Sequence, residues 1–238
     1  MGIKKKISEN SFFYKLYLYY NLYIRQNALK KRLTYSQNQE DLFINNYFKD
    51  KNKGFYLDIG CYHPIMYSNT ALLYNRGWEG TNIDMNQTSI DLFNILRKKD
   101  KNICVAISNT EQETTQYFDH AFSPINTLDK NFSDIAEKAI SFNHHTKKKI
   151  NTYKFEQIAQ MHNINTSQID FINIDVEAHD FEVLEGMDLS LFNAKIICVE
   201  LASSHNNVKN KKLIEYLNRY NYHLIKKIGL NGFFELQN

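Results

Sequence analysis

The feature that most constrains the fold of this chain is a pair of short apolar segments that each end in an acidic residue. Phe55-Tyr-Leu-Asp58-Ile-Gly60 predicts a strand that enters a tight turn, and Asn82-Ile-Asp84 ends a second strand. Asp58 and Asp84 are 26 residues apart, about the length of one βαβ unit. The spacing therefore predicts an open α/β sheet that binds a nucleoside-containing ligand where its strands end.

Alternation of strands and helices continues along the chain. Predicted strands cover 55–59, 80–83, 103–107, 114–118, 150–155, 171–174 and 196–199. Predicted helices cover 39–48, 68–74 with Ser68 as N-cap, 89–97, 155–161, 181–186 and 211–220. Segments 222–228 and 232–236 predict a hairpin, 123–128 a loop, and the polar segment 131–145 a helix or mobile region where a substrate lid would fit. The pattern predicts a Rossmann-like α/β sheet, mostly parallel, with an antiparallel C-terminal hairpin.

Residues 1–35 are expected to form a basic, aromatic extension, helical over 7–33, ahead of a domain at 36–238. Residues 1–33 carry a net charge of +7, which leaves −4 for the remainder of a chain whose total is +3. The acidic body argues against nucleic acid as a partner. The extension is expected to pack on the main domain, to associate with a second subunit, or to lie on a membrane surface. Because 12–24 is too short and polar to span a bilayer and no cleavage site follows it, we expect a cytoplasmic protein.

The turn after the first strand indicates which ligand fits. A dinucleotide site needs G-x-G-x-x-G, but only Gly60 is present, and Tyr62 and His63 fill the space that further glycines would leave. S-adenosylmethionine lacks a pyrophosphate and fits better. Asp58 would face its ammonium, backbone N–H groups of the turn would bind its carboxylate, and Asp84 would accept the ribose hydroxyls. The alternative is that both acids merely stabilise the turns that follow them.

Two separated blocks resemble the FkbM family of S-adenosylmethionine-dependent methyltransferases. The first block comprises Tyr56-Leu-Asp-Ile-Gly-Cys-Tyr-His-Pro64, Tyr67-Ser-Asn-Thr70, Arg76-Gly-Trp-Glu-Gly80 and Asn82-Ile-Asp84. The second is Phe171-Ile-Asn-Ile-Asp-Val-Glu-Ala-His-Asp-Phe-Glu-Val-Leu-Glu-Gly186, and Val105-Ala-Ile-Ser108 is a weaker match. The resemblance covers about residues 36 to 201 and implies a class I methyltransferase sheet. It also implies a cofactor site that includes Asp58, Gly60, Tyr62, His63, Ser68, Asn69, Asp84 and Ala106.

One position departs from the family pattern. Ala178 stands where the family usually has glycine. If that position requires a positive φ or a close approach by the ligand, we expect its geometry to differ in this chain.

Asp175, Glu177 and His179 follow a predicted core strand at the edge where open α/β sheets bind ligands. O-methylation requires a base for the hydroxyl proton, and His179 has the most suitable intrinsic pKa. Asp175 or Glu177 could orient it or hold the hydroxyl, and His205 is a second candidate base.

Two alternatives stay open for the block that contains Asp175, Glu177 and His179. Glu177 and His179 could cap the following helix, or Asp175, Glu177, His179 and Glu200 could bind a metal ion.

We therefore expect an S-adenosylmethionine-dependent O-methyltransferase. The resemblance implies an acceptor hydroxyl on a sugar or glycan precursor, as in surface polysaccharides or secondary metabolites. Two alternatives remain from the sequence: a nucleic-acid methyltransferase, and a non-catalytic Rossmann-like module of a glycan-assembly complex.

Overall fold

The computed structural model describes residues 12–139, 146–201 and 207–237, with the side chain of Asn207 left out. Its strands are β1 Phe55–Ile59, β2 Glu79–Asp84, β3 Lys101–Cys104, β4 Ala106–Ile107, β5 Gln112–Phe118, β6 Thr146–Tyr153, β7 Ile169–Ile174, β8 Ile196–Glu200, β9 Tyr222–Ile228 and β10 Asn231–Leu236. Its helices are α1 Phe12–Tyr19, continued by a π-helical segment Tyr20–Arg25, then α2 Glu40–Tyr47, α3 Ala71–Asn75, α4 Gln87–Leu96, α5 Lys130–Ala139, α6 Phe155–Met161, α7 Asp180–Glu185 and α8 Asn207–Arg219.

The main sheet has the strand order β3-β2-β1-β7-β8-β10-β9. The first five strands of that order are parallel, whereas β10 is antiparallel to both β8 and β9. This confirms the prediction of a mostly parallel Rossmann-like sheet with an antiparallel C-terminal hairpin. The central strands β1, β7 and β8 are almost entirely buried, as their predominantly apolar sequences require when helices cover both faces of a sheet.

Each face of the sheet has its own apolar core. On one face, Leu57 and Ile172 belong to a cluster that also contains Phe155 of α6 and Leu217 of α8. On the other face, residues of α2 and α3 pack with Trp78, whose ring centroid lies 4.9 Å from that of Phe48. Because β1 and β7 pair in parallel between these two cores, their carboxyl ends meet at one edge of the sheet.

The third predicted strand, 103–107, is divided in the structure. β3 pairs with β2, whereas β4 leaves the main sheet and pairs with β6 in a small sheet of order β4-β6-β5. Val105 lies between them, and its N–H donates to the Asp84 carbonyl at 3.0 Å. The prediction of one strand was wrong because an uninterrupted apolar run carries no signal for the point at which a chain changes partner.

The N-terminal helix is shorter than predicted. Of the predicted range 7–33, residues 7–11 lie outside the described residues, and the helix ends at Arg25. Asn27 follows in the left-handed conformation with φ +46°, a common way for a helix to stop. None of the helices in the described part of the chain is long and apolar enough to cross a membrane.

The inner face of this helix packs on the main domain, as one of the sequence readings proposed. Tyr14, Leu18 and Leu22 are buried in a cluster with Ile65 and Leu92. The Tyr14 hydroxyl also donates to Asp91 Oδ2 at 2.7 Å. The extension is therefore held in one orientation by both apolar and polar contacts.

Candidate active site

A cavity of about 250 Å³ opens at the carboxyl ends of β1, β2 and β7. The residues predicted to form the site that line it are Asp58, Gly60, Tyr62, Ser68, Asn69, Asp84, Ala106, Asp175, Glu177 and His179. The loop 123–128, predicted from its sequence as a loop, also contributes to the wall. The structure thus brings both sequence blocks to one place, as expected for ligand binding at the edge of an open α/β sheet.

Asp84 ends β2 and projects into the cavity. Its two carboxylate oxygens accept separate backbone hydrogen bonds, from Tyr62 at 2.9 Å and from Asn86 at 2.8 Å. Burial raises the pKa of Asp84 to about 6, although these two N–H donors favour the charged form. Each carboxylate oxygen has a second lone pair, so Asp84 can still accept hydroxyl groups from a ligand.

Asp58 lies at the floor of the cavity within a buried polar network. Its carboxylate accepts hydrogen bonds from Thr70 Oγ1 at 2.7 Å and from Asn173 Nδ2 at 2.9 Å. Asn69 Nδ2 in turn donates to Asn173 Oδ1 at 2.9 Å. Burial raises the pKa of Asp58, while these donors and the nearby Arg97 guanidinium oppose that shift. The hydrogen bonds from Thr70 and Asn173 hold the Asp58 carboxyl group in one orientation beneath the cavity.

Ser68 does not cap the next helix as predicted. Helix α3 begins at Ala71, and the preceding residue Thr70 makes no side-chain capping bond. Ser68 Oγ instead accepts a hydrogen bond from Arg97 Nη2 at 2.8 Å, because that buried guanidinium requires oxygen partners.

Gly60 is required by a close approach between strands. Its φ is +79°, and a Cβ at this position would come within 1.8 Å of the Asp175 carbonyl oxygen. The turn then folds back on β2: the N–H groups of Gly60 and Cys61 donate to the Ile83 carbonyl, and that of Tyr62 donates to Asp84. The His63 N–H donates to the Cys61 carbonyl at 2.6 Å. The expectation that this turn offers free N–H groups to a cofactor carboxylate is therefore not met.

His63 lies behind the cavity and does not line it. Nδ1 accepts the N–H groups of Ile65 and Met66 at 3.0 and 3.1 Å, and Nε2 lies 2.9 Å from Asn21 Oδ1. Since Nδ1 is an acceptor, Nε2 carries the proton and donates to Asn21. Burial, together with the nearby Arg97 and Arg25, lowers the pKa of His63 to about 3. His63 is a neutral residue that links the extension to the main domain.

Asp175 and Glu177 bring two further carboxyl groups to the cavity wall. Burial raises the pKa of both, and the neighbouring negative charges, including that of Glu200, raise them further. An acid with a raised pKa is also a stronger base once it has lost its proton. This pair is therefore suited to holding or moving a proton near neutral pH.

Glu177 and Ala178 both adopt the left-handed conformation, with φ of +55° and +70°. Their carbonyl oxygens are anchored: Thr127 Oγ1 donates to that of Glu177 at 2.7 Å, and Lys209 Nζ to that of Ala178 at 3.2 Å. The position where the family usually has glycine thus requires a positive φ here too, although this chain has alanine.

Replacing Ala178 with glycine should therefore stabilise the fold by about 0.5–1 kcal/mol, because the left-handed strain of Ala178 exceeds the additional entropy of glycine in the unfolded chain. Chemical denaturation measures the change. The matched control is Ala159→Gly inside helix α6, which should destabilise by about 1 kcal/mol. Equal destabilisation by the two substitutions would contradict this account.

His179 lines the cavity and lies at the N-cap of α7 without making a side-chain capping bond. Its Nε2 is 3.0 Å from Ser108 Oγ, and its Nδ1 is 3.8 Å from Glu182 Oε2. Burial lowers the pKa of His179, although the nearby Glu182 and Asp129 oppose that shift. The imidazole is therefore neutral at pH 7 and able to accept a proton.

Two further sequence predictions concern His205 and a metal site. His205 is outside the described residues. Within 12–139, 146–201 and 207–237, no three His, Cys, Asp or Glu side chains come together in a way that could hold a metal ion. Asp175, Glu177, His179 and Glu200 thus do not form the metal-ligand set that the sequence left open.

Arg97 is the main residue that sequence reasoning missed. It is 1% exposed and donates to Thr70 Oγ1, Ser68 Oγ and the Pro64 carbonyl at 2.7–2.8 Å. Arg97 precedes two lysines in a segment that looks like an ordinary charged helix end, so no sequence signal marks it. Further lining residues that were not predicted as site residues are Gln37, Asn86, Ser89 and Asn173.

The sheet thus carries acidic residues at or just after the ends of β1, β2 and β7, at the edge where open α/β sheets bind ligands. The sequence model of the family described as Methyltransferase FkbM domain matches residues 58–224, which is well over half of the chain. The protein belongs to the FkbM methyltransferase family, and the resemblance noted in the sequence is confirmed.

Curated proteins and solved structures were also compared with the chain. No curated protein matched the chain. Among solved structures, a Staphylococcus aureus protein assigned as a caffeoyl-CoA O-methyltransferase is similar, with 14% identity and a TM-score of 0.42, covering 97% of this chain and 94% of that one.

Proposed function

We propose that this methyltransferase uses S-adenosylmethionine to methylate a hydroxyl group of a sugar or glycan precursor. The observation that carries the proposal is the convergence of Asp84, at the end of β2, and of Asp175, Glu177 and His179, after β7, on one cavity. Asp84 suits the hydroxyls of a ribose, and the three residues after β7 suit an acceptor hydroxyl that must lose a proton.

The polar and acidic groups around the cavity support the proposed cofactor. Asp84 would accept the ribose hydroxyls, and the fixed carboxylate of Asp58 would face the ammonium, directly or through water. Because the N–H groups of the first turn are already used, the cofactor carboxylate needs another donor. Gln37 lines the cavity and carries an amide that could serve. The S-adenosylmethionine sulfonium supplies an activated methyl group, so the protein mainly aligns the acceptor and removes its proton.

The proton acceptor that we propose is His179. Its neutral imidazole faces the cavity, and Ser108 is placed to fix the orientation of the ring. Asp175 directly follows β7 and would hold the acceptor hydroxyl in line with the methyl group. Glu177, two residues further along the chain, could do the same. Asp175 is the alternative base, since its raised pKa also suits proton transfer near neutral pH.

The proposal of a sugar acceptor draws on the family resemblance and on the character of the walls. Ser123 and the two carboxyl groups after β7 present polar groups suited to several hydroxyls. Tyr67 is half exposed at the cavity, and its ring stacks on that of Tyr62 with centroids 6.3 Å apart and planes at 17°. Aromatic rings beside polar groups suit a sugar, whose C–H face is apolar while its rim is polar.

The proposed activity is tested by incubating the protein and S-adenosylmethionine with a panel of nucleotide sugars and glycan precursors. We expect one acceptor to gain the mass of a single methyl group. RNA and DNA oligonucleotides serve as comparison acceptors, and their methylation in place of a sugar would contradict the proposal. Cofactor binding with no transfer to any acceptor would favour the non-catalytic alternative.

The affinity for S-adenosylmethionine should fall as the pH is lowered through about 6, because the Asp84 carboxylate must be ionised to accept two hydroxyl groups. Above its pKa, Asp84 is already ionised and the affinity levels off. Below it, each unit of pH should weaken binding by about tenfold. Calorimetry across this range measures the effect. Asp84→Asn should bind weakly with little pH dependence there, and a profile in this variant like that of the wild type would remove Asp84 from the ribose site.

A further inference from the structure

The N-terminal helix presents an apolar surface on the side that faces away from the domain. Its exposed large side chains, together with two in the segment that follows, define what we call the extension face: Phe12, Phe13, Leu16, Tyr19, Tyr20, Ile24, Leu29 and Leu33. Phe12, Phe13 and Ile24 are each 71% exposed, and Leu29 and Leu33 more than 80%. A cluster of exposed apolar side chains on one face is unusual for a surface that meets only water.

The side chains of the extension face do not belong to the core of the main domain, because the opposite face of the helix is the buried one. The opposite face of the same helix supplies Tyr14, Leu18 and Leu22, which are at most 4% exposed. Asn21 adds the hydrogen bond to His63, and Tyr14 the one to Asp91. The helix cannot roll to bury its outer face without breaking these contacts. The described residues therefore leave the extension face exposed, and only a partner or surface outside them could cover it.

The charges beside this face indicate what would cover it. Residues 12–33 contain Lys15, Arg25, Lys30, Lys31 and Arg32 and no acidic residue. Aromatic and aliphatic side chains fringed by cations are typical of helices that lie in the interface of an anionic bilayer. A second copy of the chain, packed face to face, would instead bring two sets of cations together, which is unfavourable.

We propose that the extension face binds the surface of a membrane that contains anionic lipid, with the helix lying in the plane of the headgroups. Phe12, Phe13 and Ile24 would enter the boundary between headgroups and acyl chains, and the cations would contact lipid phosphates. The docking site does not depend on the proposed methyl transfer.

The extension also contacts the wall of the cavity. The Tyr17 ring meets the edge of Phe122 with centroids 4.9 Å apart, and the Tyr62 hydroxyl donates to the Phe122 carbonyl at 3.4 Å. Phe122 directly precedes the loop 123–128 that lines the cavity. Membrane docking would therefore place the surface of the bilayer beside one wall of the active site.

The test is cosedimentation of the full chain with vesicles of phosphatidylcholine alone or mixed with phosphatidylglycerol. We expect binding to the mixed vesicles and little to the neutral ones. The variant Phe12→Ser/Phe13→Ser/Ile24→Ser should lose about tenfold or more in vesicle affinity. The variant Lys30→Glu/Lys31→Glu should lose about tenfold, and added salt should weaken wild-type binding.

The matched control replaces exposed apolar residues elsewhere. Ile135 is 65% and Met161 69% exposed, and Ile135→Ser/Met161→Ser should leave vesicle binding unchanged. Thermal unfolding verifies that every variant is folded. Wild-type binding to mixed vesicles that survives the triple substitution would overturn the proposal. So would the absence of wild-type binding to the mixed vesicles. If sedimentation velocity then shows a dimer that the same substitutions dissociate, the face is a contact between two copies.

Discussion

Replacing Arg97 with methionine is expected to destabilise the fold by about 3–5 kcal/mol, the usual cost of removing one partner from a buried charge network. Arg97 lies between the carboxylates of Asp58 and Asp100, and each of these acids stabilises its positive charge. Asp58 contacts it through Thr70, and Asp100 through Tyr56, whose hydroxyl accepts from Arg97 Nη1 at 3.3 Å and donates to Asp100. Without the guanidinium, two buried carboxylates would lose their counter-charge.

The aromatic surroundings of Arg97 do not change this expectation. The guanidinium lies over the Phe93 ring at 4.8 Å and near the Tyr74 ring at 5.4 Å from the centroid. Methionine could fill much of that apolar space, but it offers no donor to Ser68, Thr70 or the Pro64 carbonyl. The loss of stability should therefore be accompanied by weaker cofactor binding, because Asp58 and Ser68 border the cavity.

Urea denaturation measures this prediction. Arg97→Lys keeps the charge but not the forked donors and should give a smaller loss, which keeps the comparison possible if the methionine variant does not fold. The matched control is Arg219→Met at the exposed end of α8, which should cost less than about 1 kcal/mol. A loss for Arg97→Met no larger than that of the control would mean that the network does not hold the floor of the site together.

Replacing His179 with alanine is expected to lower kcat by about 10²–10⁴-fold, the usual contribution of a general base. The dissociation constant for S-adenosylmethionine should change little, because the proposed contacts to the cofactor come from Asp58, Asp84 and Gln37. A loss in kcat with unchanged cofactor affinity distinguishes a base from a residue that supports the cofactor.

The control for His179→Ala is His162→Ala, an exposed histidine just after α6 that does not line the cavity. Ser108→Ala, which removes the hydroxyl beside Nε2, should reduce kcat by a smaller factor, since Ser108 only positions the ring. If His179→Ala retains wild-type turnover, Asp175→Asn is the next variant to measure, because Asp175 is the other group at this wall able to take the proton.

The sequence predicted the framework of the sheet because its information is local. The pattern of an apolar strand followed by an acid and a turn can be recognised at Asp58, Asp84 and Asp175. Because the three strands are parallel neighbours, their carboxyl ends meet at one edge of the sheet. The same information fails where partners are remote. Neither the division of the third strand near Val105 nor the hydrogen bonds of Arg97 to Pro64 and Ser68 can be seen within a short window of residues.

The roles of individual site residues were harder to predict than their location. His63 has the residue type and place of a cofactor ligand, but Asn21 of the extension and two backbone N–H groups already use its ring nitrogens. Ala178 departs from the family pattern, yet its backbone keeps the conformation that glycine would favour. In both cases the outcome depends on tertiary contacts that a local sequence pattern does not contain.

The central claim is that the cavity between Asp84 and Asp175 binds S-adenosylmethionine, and calorimetric titration of the cofactor tests it most directly. We expect wild-type protein to bind at one site, Asp84→Ala to bind about 10- to 100-fold more weakly, and Glu113→Ala, an exposed acid of β5 outside the cavity, to bind as wild type does. Equal affinity of the wild type and Asp84→Ala, or no binding by the folded wild type, would contradict the assignment.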